Sequence, residues 1–267
     1  MIVVCVQTHP TIGEREGNLL GVRDAVLSAE ADLVVLPELF ATGYFFESTA
    51  QARSLAEPVP DGPTVRQLEA WAAETGATIV AGVAERDGDR LYNSAVVVAP
   101  HGWLGTYRKT HLYYQETVHF TPGPDGFQVW TVADRQRRPY RLGVMVCFDW
   151  FFPESARTLA LAGADVIAHP SNLVLPHCPS AMPIRALENG VFTATANRVG
   201  TETVRSESLT FVGQSLICSP NAEVLAKASA TDEVTIRAEV APHEARRTAL
   251  NVYNDRRGDR RPELYAA

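Results

Sequence analysis

The sequence predicts an α/β fold built on a mixed β-sheet. Short runs rich in β-branched residues alternate with stretches of helical periodicity along the 267 residues, as in layered α/β proteins. Several of these runs are apolar at every position, for example Leu33-Val34-Val35-Leu36, which is typical of strands covered on both faces. Two hairpin turns are predicted, at Arg86-Asp87-Gly88-Asp89-Arg90 and at His101-Gly102, so some neighbouring strands should be antiparallel.

The individual elements follow from local composition and from the residues that start each helix. Strands are predicted over residues 2–7, 33–37, 78–83, 94–98, 142–147, 166–169, 191–196 and 215–218. Helices are predicted over residues 18–30, 64–75, 154–162 and 183–189. Pro63 and Pro153 stand at the start of two of these helices, where a missing N–H costs no hydrogen bond. No linker or repeat interrupts the pattern, so residues 1–267 are expected to form one domain.

Composition and charge restrict the classes of function. The chain is 46% hydrophobic and 21% charged, the balance of a folded protein with a large core. Its net charge of -7 argues against a nucleic-acid partner, because phosphate binding requires a basic surface. No apolar run reaches the roughly 18 to 20 residues of a membrane span, and the N-terminus lacks the pattern of a secretory signal. Four widely spaced cysteines without a CxxC pair fit a reducing compartment, so a cytoplasmic protein is expected.

Cys147 is the strongest single candidate for a catalytic group. It ends the apolar run Leu142-Gly143-Val144-Met145-Val146 and precedes a turn and a helical segment. This order predicts a position at the carboxyl edge of a sheet, near a helix N-terminus that would favour thiolate. The ordinary alternative for one cysteine is a place in the core, and Cys5 and Cys218, which also end apolar runs, are assigned there.

Three charged residues could assist such a thiol. Glu38 directly follows a buried-strand pattern, and burial would raise the pKa of its carboxyl toward the range that a general base needs. Lys109 could stabilise a thiolate or an oxyanion, and Glu116, seven positions later, could be a second acid or base. Taken alone, Glu38 and Lys109 fit ordinary solvated residues better than catalytic ones, and Glu116 fits a plain loop carboxylate as well as a catalytic one.

Taken together and in order, these positions resemble the nitrilase-like carbon–nitrogen hydrolase family over essentially the whole chain. The similarity is carried by Leu36-Pro37-Glu38-Leu39-Phe40, Tyr107-Arg108-Lys109-Thr110-His111-Leu112, Val146-Cys147-Phe148-Asp149, Phe120-Thr121-Pro122-Gly123, Pro170-Ser171-Asn172-Leu173 and Ala196-Asn197-Arg198. The resemblance implies a four-layer αββα sandwich with mixed β-sheets. It also implies a Glu-Lys-Cys triad of Glu38, Lys109 and Cys147, with Glu116 as a second active-site glutamate.

The same resemblance implies an enzyme that hydrolyses a small amide to a carboxylate and ammonia through an acyl-thioester. It further implies a homodimer or a higher homo-oligomer and no metal or organic cofactor. Phe148-Asp149 follows the nucleophile, as in amidase-like members, which favours amides over nitriles. Cationic residues that would bind the carboxylate of an N-carbamoyl amino acid are absent just after Cys147, which weakens that alternative. A non-catalytic scaffold that kept the fold is an alternative of another class, and the intact triad argues against it.

Substrate contacts are predicted from aromatic and polar residues near these blocks. Tyr44, Phe148, Trp150 and Asn172 are the candidates for substrate binding. Packing in the core or at a subunit contact is an equally good explanation for the aromatic residues.

Two rival sites depend on histidines. A Cys-His hydrolase would use His169, which ends a strand-like run, or His111 or His119 near the lysine block. A metal site of His169, His177 and Cys178 is weaker, because their spacing matches no common ligand pattern.

Overall fold

The structure, a computed structural model, describes residues 1–265 and contains two six-stranded sheets and a small hairpin. The strands are β1 (Ile2–Gln7), β2 (Leu33–Val35), β3 (Thr78–Asp87), β4 (Arg90–Ala99), β5 (Gly102–Arg108), β6 (Val129–Ala133), β7 (Pro139–Val144), β8 (Val166–Pro170), β9 (Phe192–Ala196), β10 (Thr201–Val204), β11 (Glu207–Thr210), β12 (Leu216–Cys218), β13 (Val224–Lys227) and β14 (Val234–Glu239). The helices are α1 (Arg15–Leu27), α2 (Thr49–Leu55), α3 (Pro63–Thr75), α4 (Glu116–His119), α5 (Pro153–Leu161) and α6 (Cys178–Asn189). Short 3-10 turns cover Cys147–Phe151, Pro242–Arg246 and Pro262–Leu264.

Both sheets are mixed, as predicted. The first has the strand order β14-β1-β2-β3-β4-β5, and the second has the order β13-β12-β9-β8-β7-β6. In each sheet three parallel strands are flanked by antiparallel ones: β1, β2 and β3 in the first, and β7, β8 and β9 in the second. The two predicted hairpin turns connect β3 to β4 and β4 to β5.

Alternate residues of the first sheet face two different cores, which produces the layers. Val3 and Cys5 of β1 belong to the core between the two sheets, whereas Val4 and Val6 pack with the core under α1 and α3. Helices α5 and α6 cover the far face of the second sheet, with contacts to β7, β9 and β12. The order of layers is therefore helix, sheet, sheet, helix, and the predicted four-layer αββα sandwich is confirmed.

Several predicted boundaries were wrong, and edge strands were missed. Helix α1 begins three residues before the predicted start, and α6 begins at Cys178 with Pro183 inside it. The strand predicted over residues 142–147 ends at Val144. Strands β13 and β14 lie toward one edge of each sheet and expose most of their side chains, so they lack the continuous apolar run used for prediction.

The parallel strands place the candidate residues at one edge of the sandwich. Glu38 follows β2, and Lys109 follows β5, which runs in the same direction as β2. Cys147 follows β7, and Asn172 follows β8, in the other sheet. The carboxyl ends of both sets of strands thus meet where the two sheets pack together. Within residues 1–265, no helix is long and apolar enough to cross a membrane.

Candidate active site

A buried lysine joins two carboxylates at this edge. Lys109 Nζ lies 2.7 Å from Glu38 Oε1 and 2.8 Å from Glu116 Oε1. The side chains of Lys109 and Glu38 are fully buried, and that of Glu116 is nearly so. An ammonium has three N–H donors, and two of them are used by these carboxylates. The third donor is available for a bound molecule.

Asn93 of β4 holds the two carboxylates together. Its Nδ2 donates to Glu38 Oε1 at 2.6 Å and to Glu116 Oε2 at 3.3 Å. Glu38 Oε1 therefore accepts from both Asn93 and Lys109, whereas Glu38 Oε2 is buried without a hydrogen-bond partner. An unpaired carboxylate oxygen in a buried site is suited to accept a proton.

Tyr44 fixes the other side of Glu116. The Tyr44 hydroxyl donates to Glu116 Oε1 at 2.6 Å. The backbone N–H groups of Tyr44 and Phe45 donate to Glu202, which is paired at 2.6 Å with the fully buried Arg198. A chain of buried polar contacts thus extends from β10 to the second glutamate, so its position depends on residues outside the cluster.

Lys109 and Glu116 differ in their charge state near neutral pH. Burial raises the pKa of Glu116 to about 7, although Lys109 opposes the shift, and the charge of Glu38 adds to it. Burial alone would lower the pKa of Lys109, but Glu116 and Glu38 outweigh it and raise that pKa above its ordinary value. Lys109 therefore remains a cation throughout the neutral range, while Glu116 titrates within it.

Cys147 lies beside this cluster as a neutral thiol. Burial and then the charge of Glu38 raise the pKa of Cys147 well above its ordinary value, although Lys109 and the Asn172 backbone N–H oppose the shift. The sequence predicted that a helix N-terminus would favour the thiolate of Cys147, but burial and the charge of Glu38 favour the neutral thiol in the resting site. A nucleophile here therefore requires a base, and Glu38 Oε2 is the unpaired acceptor available.

The turn that carries Cys147 is strained and firmly anchored. Cys147 has a φ of 43°, in the left-handed region that a side chain rarely adopts. Asp149 Oδ2 accepts the Val146 N–H at 2.8 Å and the Tyr107 hydroxyl at 2.7 Å, and Asp149 Oδ1 lies 2.7 Å from His111 Nδ1. These contacts hold the turn in place, and strain of this kind persists only when the surrounding structure fixes it.

Two glycines let the site residues approach neighbouring backbone. A Cβ on Gly82 would overlap the Cα of Glu38, and a Cβ on Gly123 would overlap the Arg108 carbonyl oxygen. The N–H of Gly123 donates to the Lys109 carbonyl at 2.8 Å. The segments that carry Glu38 and Lys109 are thus packed against backbone that has no room for a side chain.

A small pocket opens onto Cys147. Its volume is about 20 Å³. Its lining is Tyr113, Cys147, Phe148, Trp150, Asn172, Leu173, Val174 and Leu175, which includes no charged side chain. A larger groove of about 470 Å³ lies near Pro139, at the opposite end of β7, and has no thiol in its lining. The smaller pocket is therefore the candidate substrate site, because it contains the Cys147 thiol.

The structure brings together most of the predicted site residues. Phe148, Trp150 and Asn172 line the pocket, and Asn172 Nδ2 donates to the Glu38 carbonyl at 2.9 Å. Tyr44 contacts Glu116 rather than the pocket. Substrate contact by these four side chains stays a prediction.

The histidines of the rival sites make other contacts. His169 Nε2 lies 2.9 Å from the carbonyl oxygen of Cys147, not from its thiol. His111 pairs with Asp149, and His119 contacts a threonine hydroxyl. Within the described chain, residues 1–265, no group of three or more acidic, histidine or cysteine side chains is placed to hold a metal ion.

Asn93 and Gly82 were missed in the sequence. An amide within the apolar strand Leu91-Tyr92-Asn93-Ser94-Ala95 was an available signal, because a polar side chain buried in a strand needs a partner. Gly82, inside the apolar run of β3, was a second signal, since glycine in a strand often marks close approach of backbone.

Comparison with known proteins agrees with this geometry. The family described as carbon-nitrogen hydrolase matches residues 3–250. A protein named nitrilase from Pyrococcus abyssi is 52% identical over 266 residues, covering 98% of each chain. An N-carbamoylputrescine amidase from Solanum lycopersicum is 32% identical over 258 residues, covering 88% of this chain and 83% of the relative. A solved amidase variant from Nesterenkonia sp. AN1, with acrylamide added at the active-site cysteine, has a TM-score of 0.80 at 25% identity and covers 99% of this chain and 98% of its own.

Proposed function

The chain belongs to the carbon-nitrogen hydrolase family, and on that premise we propose that it hydrolyses small uncharged amides to a carboxylate and ammonia. One observation carries the proposal: a neutral thiol lies beside a buried lysine and two carboxylates, at the base of an uncharged pocket. Cys147 is the nucleophile, Glu38 the general base, Lys109 the cation and Glu116 the second carboxylate. The acrylamide adduct at the active-site cysteine of the Nesterenkonia amidase supports the choice of nucleophile.

Acylation begins with transfer of the Cys147 thiol proton to Glu38 Oε2. The thiolate attacks the amide carbon, and the carbonyl oxygen becomes an oxyanion. The third N–H of Lys109 and the Phe148 backbone N–H stabilise this oxyanion, and fixed donors of this kind are usually the largest catalytic contribution. The carbon–nitrogen bond then breaks, ammonia leaves with the proton from Glu38, and an acyl-thioester remains on Cys147.

Deacylation repeats these steps with water as the nucleophile. Glu38 takes a proton from water, and the hydroxyl attacks the thioester carbon to give a second oxyanion at the same donors. The carbon–sulfur bond breaks, the proton returns to sulfur, and the carboxylic acid leaves and ionises in solution. Glu116 as a carboxylate keeps Lys109 charged and oriented through both steps.

The pocket limits the substrate in size and charge. The cavity volume of about 20 Å³ lies far below the roughly 300 to 1,000 Å³ of drug-sized sites, which favours a short acyl group. Leu173, Val174 and Leu175 form an apolar wall, and the lining offers no cation for the carboxylate of an N-carbamoyl amino acid. It also offers no carboxylate for the ammonium of N-carbamoylputrescine.

Nitrile hydrolysis is the second candidate, because the 52% identical relative is named a nitrilase. The same thiol could attack a nitrile carbon. Both oxygens of Asp149 hold the nucleophile turn, and the pair Phe148-Asp149 resembles that of amidase-like members of the family. Amides therefore remain the preferred substrate.

The test is ammonia release from primary amides, nitriles and N-carbamoyl compounds. We expect turnover of short neutral amides, no turnover by Cys147→Ala, and normal turnover by Cys5→Ala, which removes a buried thiol from the core. Turnover of nitriles in preference to amides would replace the first candidate with the second. No turnover, with Cys147 unreactive to iodoacetamide in the folded protein, would favour a non-catalytic scaffold.

Quaternary structure and cellular location remain proposals. We propose a homodimer or a larger homo-oligomer in the cytoplasm. Light scattering of the purified protein measures the first, and a protein that stays at monomer mass at micromolar concentration would contradict it.

A further inference from the structure

His169 is a buried histidine that the proposed mechanism does not use. It lies at the carboxyl end of β8 and is fully buried. Its Nε2 lies 2.9 Å from the carbonyl oxygen of Cys147 and 3.1 Å from Ser171 Oγ. Its Nδ1 lies 3.0 Å from Oγ1 of Thr195, the residue paired with it in the β8–β9 register. Every polar atom of this side chain therefore has a partner.

These partners determine which nitrogen carries the proton. A carbonyl oxygen only accepts hydrogen bonds, so Nε2 must donate to Cys147. Nδ1 then accepts from the Thr195 hydroxyl, while Ser171 accepts from Nε2 and donates to the His169 carbonyl at 3.2 Å. The ring is thus a neutral donor locked between two strands. Burial lowers the pKa of His169 to about 4, so this state persists through the neutral range.

The contact has a direct consequence for the oxyanion donor. The Cys147 carbonyl and the Phe148 N–H belong to one planar peptide and point in opposite directions. A hydrogen bond that fixes the carbonyl therefore also fixes the direction of the N–H. The fixation matters here because Cys147 has a φ of 43°, a conformation from which the peptide would otherwise relax.

We propose that His169 is a positioning residue that orients the Cys147–Phe148 peptide so that the Phe148 N–H faces the oxyanion. The role rests on the proposed hydrolysis. It differs from that of a catalytic histidine, because the imidazole contacts neither the thiol nor the pocket. It predicts a loss in the step that forms the oxyanion and little loss in other reactions of the thiol.

Two amides form a matched pair of substitutions. In His169→Gln, the amide nitrogen can take the place of Nε2 and donate to the Cys147 carbonyl. In His169→Asn, the shorter amide reaches the place of Nδ1 and retains only the contact with Thr195. Both variants keep a neutral polar side chain, so they differ mainly in the contact at issue.

Three readouts separate orientation of the peptide from general damage. The first is kcat and KM on the best amide. The second is the rate of Cys147 alkylation by iodoacetamide, a displacement that forms no oxyanion. The third is the concentration of butanal that protects Cys147 from iodoacetamide. In this reaction the sulfur bonds to the aldehyde carbon, the C=O π bond breaks, and the thiol proton moves to that oxygen. The resulting hemithioacetal oxygen occupies the oxyanion position.

For His169→Asn we expect kcat about 10- to 100-fold lower, with KM and the alkylation rate within about twofold, because removing one oxyanion donor costs about 100- to 1,000-fold. Butanal should protect this variant at about 10-fold higher concentration, and His169→Gln should recover most of each loss. Unchanged kcat and unchanged butanal protection in His169→Asn would overturn the proposal. Alkylation that slows in parallel with kcat would also overturn it, since His169 would then position the sulfur itself.

The butanal readout does not require turnover, so it distinguishes the two proposals. If the wild type hydrolyses no amide and no nitrile, the proposed function fails. The positioning role stands in that case only if His169→Asn still weakens butanal protection. If His169→Asn does not fold, Thr195→Val removes the hydroxyl that orients the imidazole, and an unchanged kcat and butanal protection there would refute the positioning role.

Discussion

Replacing Gly82 by alanine should displace Glu38, the proposed general base, without changing any group that takes part in the proposed chemistry. The added Cβ would lie 2.6 Å from the Leu39 nitrogen and would overlap the Cα of Glu38. Non-bonded heavy atoms rest at about 3.5 to 4.0 Å, so β3 and the Glu38 segment must separate by roughly 1 to 1.5 Å. Both segments are fully buried and cannot yield toward solvent.

The expected effect on activity is large. A misplacement of about 1 Å at a reacting group can cost about 100-fold in rate, so Gly82→Ala should lower kcat/KM by about 10- to 100-fold. Overpacking should also reduce the free energy of unfolding by about 1 to 3 kcal/mol. The assay is ammonia release at a temperature where circular dichroism shows the variant to be fully folded.

Gly21→Ala is the matched control. Gly21 is exposed on α1, and a Cβ there would meet nothing within 4 Å. Alanine is the better helix former by about 1 kcal/mol, so this variant should be slightly more stable and fully active. If Gly82→Ala were as active as Gly21→Ala, the argument that close backbone packing positions Glu38 would be refuted.

Three further predictions concern the second glutamate and its supports. The pKa of Glu116 is about 7 in the folded protein, above its ordinary 4.5, so Glu116 stabilises the fold below pH 4.5 and loses this contribution as the pH rises to 7. Glu116→Gln should therefore flatten the fall in melting temperature between pH 4.5 and 7. Tyr44→Phe removes a bond that favours ionised Glu116, so the acid limb of kcat/KM should move to higher pH, and an unmoved limb would contradict the assigned role. Arg198→Met leaves the buried carboxylate of Glu202 without its cation and should reduce the free energy of unfolding, measured by urea titration, by about 3 to 5 kcal/mol. A loss below about 1 kcal/mol would contradict the structural role of this ion pair.

The central strands could be predicted from the sequence because both of their faces are buried. In β1 and β2 nearly every side chain packs on one of two cores, so the run of apolar residues is continuous. Strand β14 exposes most of its residues, and its place beside β1 depends on contacts more than two hundred positions away. No local pattern contains that information, because it resides in packing between distant segments.

The proximity of Glu38, Lys109 and Cys147 could be predicted from the sequence, but the residues that support them could not. Glu38, Lys109 and Cys147 stand in blocks whose order and spacing resemble a known family. His169 was considered as a rival base, and its actual partner depends on the path of the turn at Cys147. Asn93 contacts both carboxylates only because β4 passes between their segments, which requires the sheet order.

The pairing of β1 with β14 has a consequence for synthesis of the chain. Strand β1 is made well before β14, because this partner on its outer side begins only at residue 234. At about 5 to 20 residues per second, a ribosome needs roughly 10 to 50 s to deliver that partner, and during this time an apolar strand has one unpaired edge. Unpaired apolar edges recruit strands from other chains. Strand β14 therefore covers this edge only at the end of that interval, and chains cut short before it should accumulate in inclusion bodies.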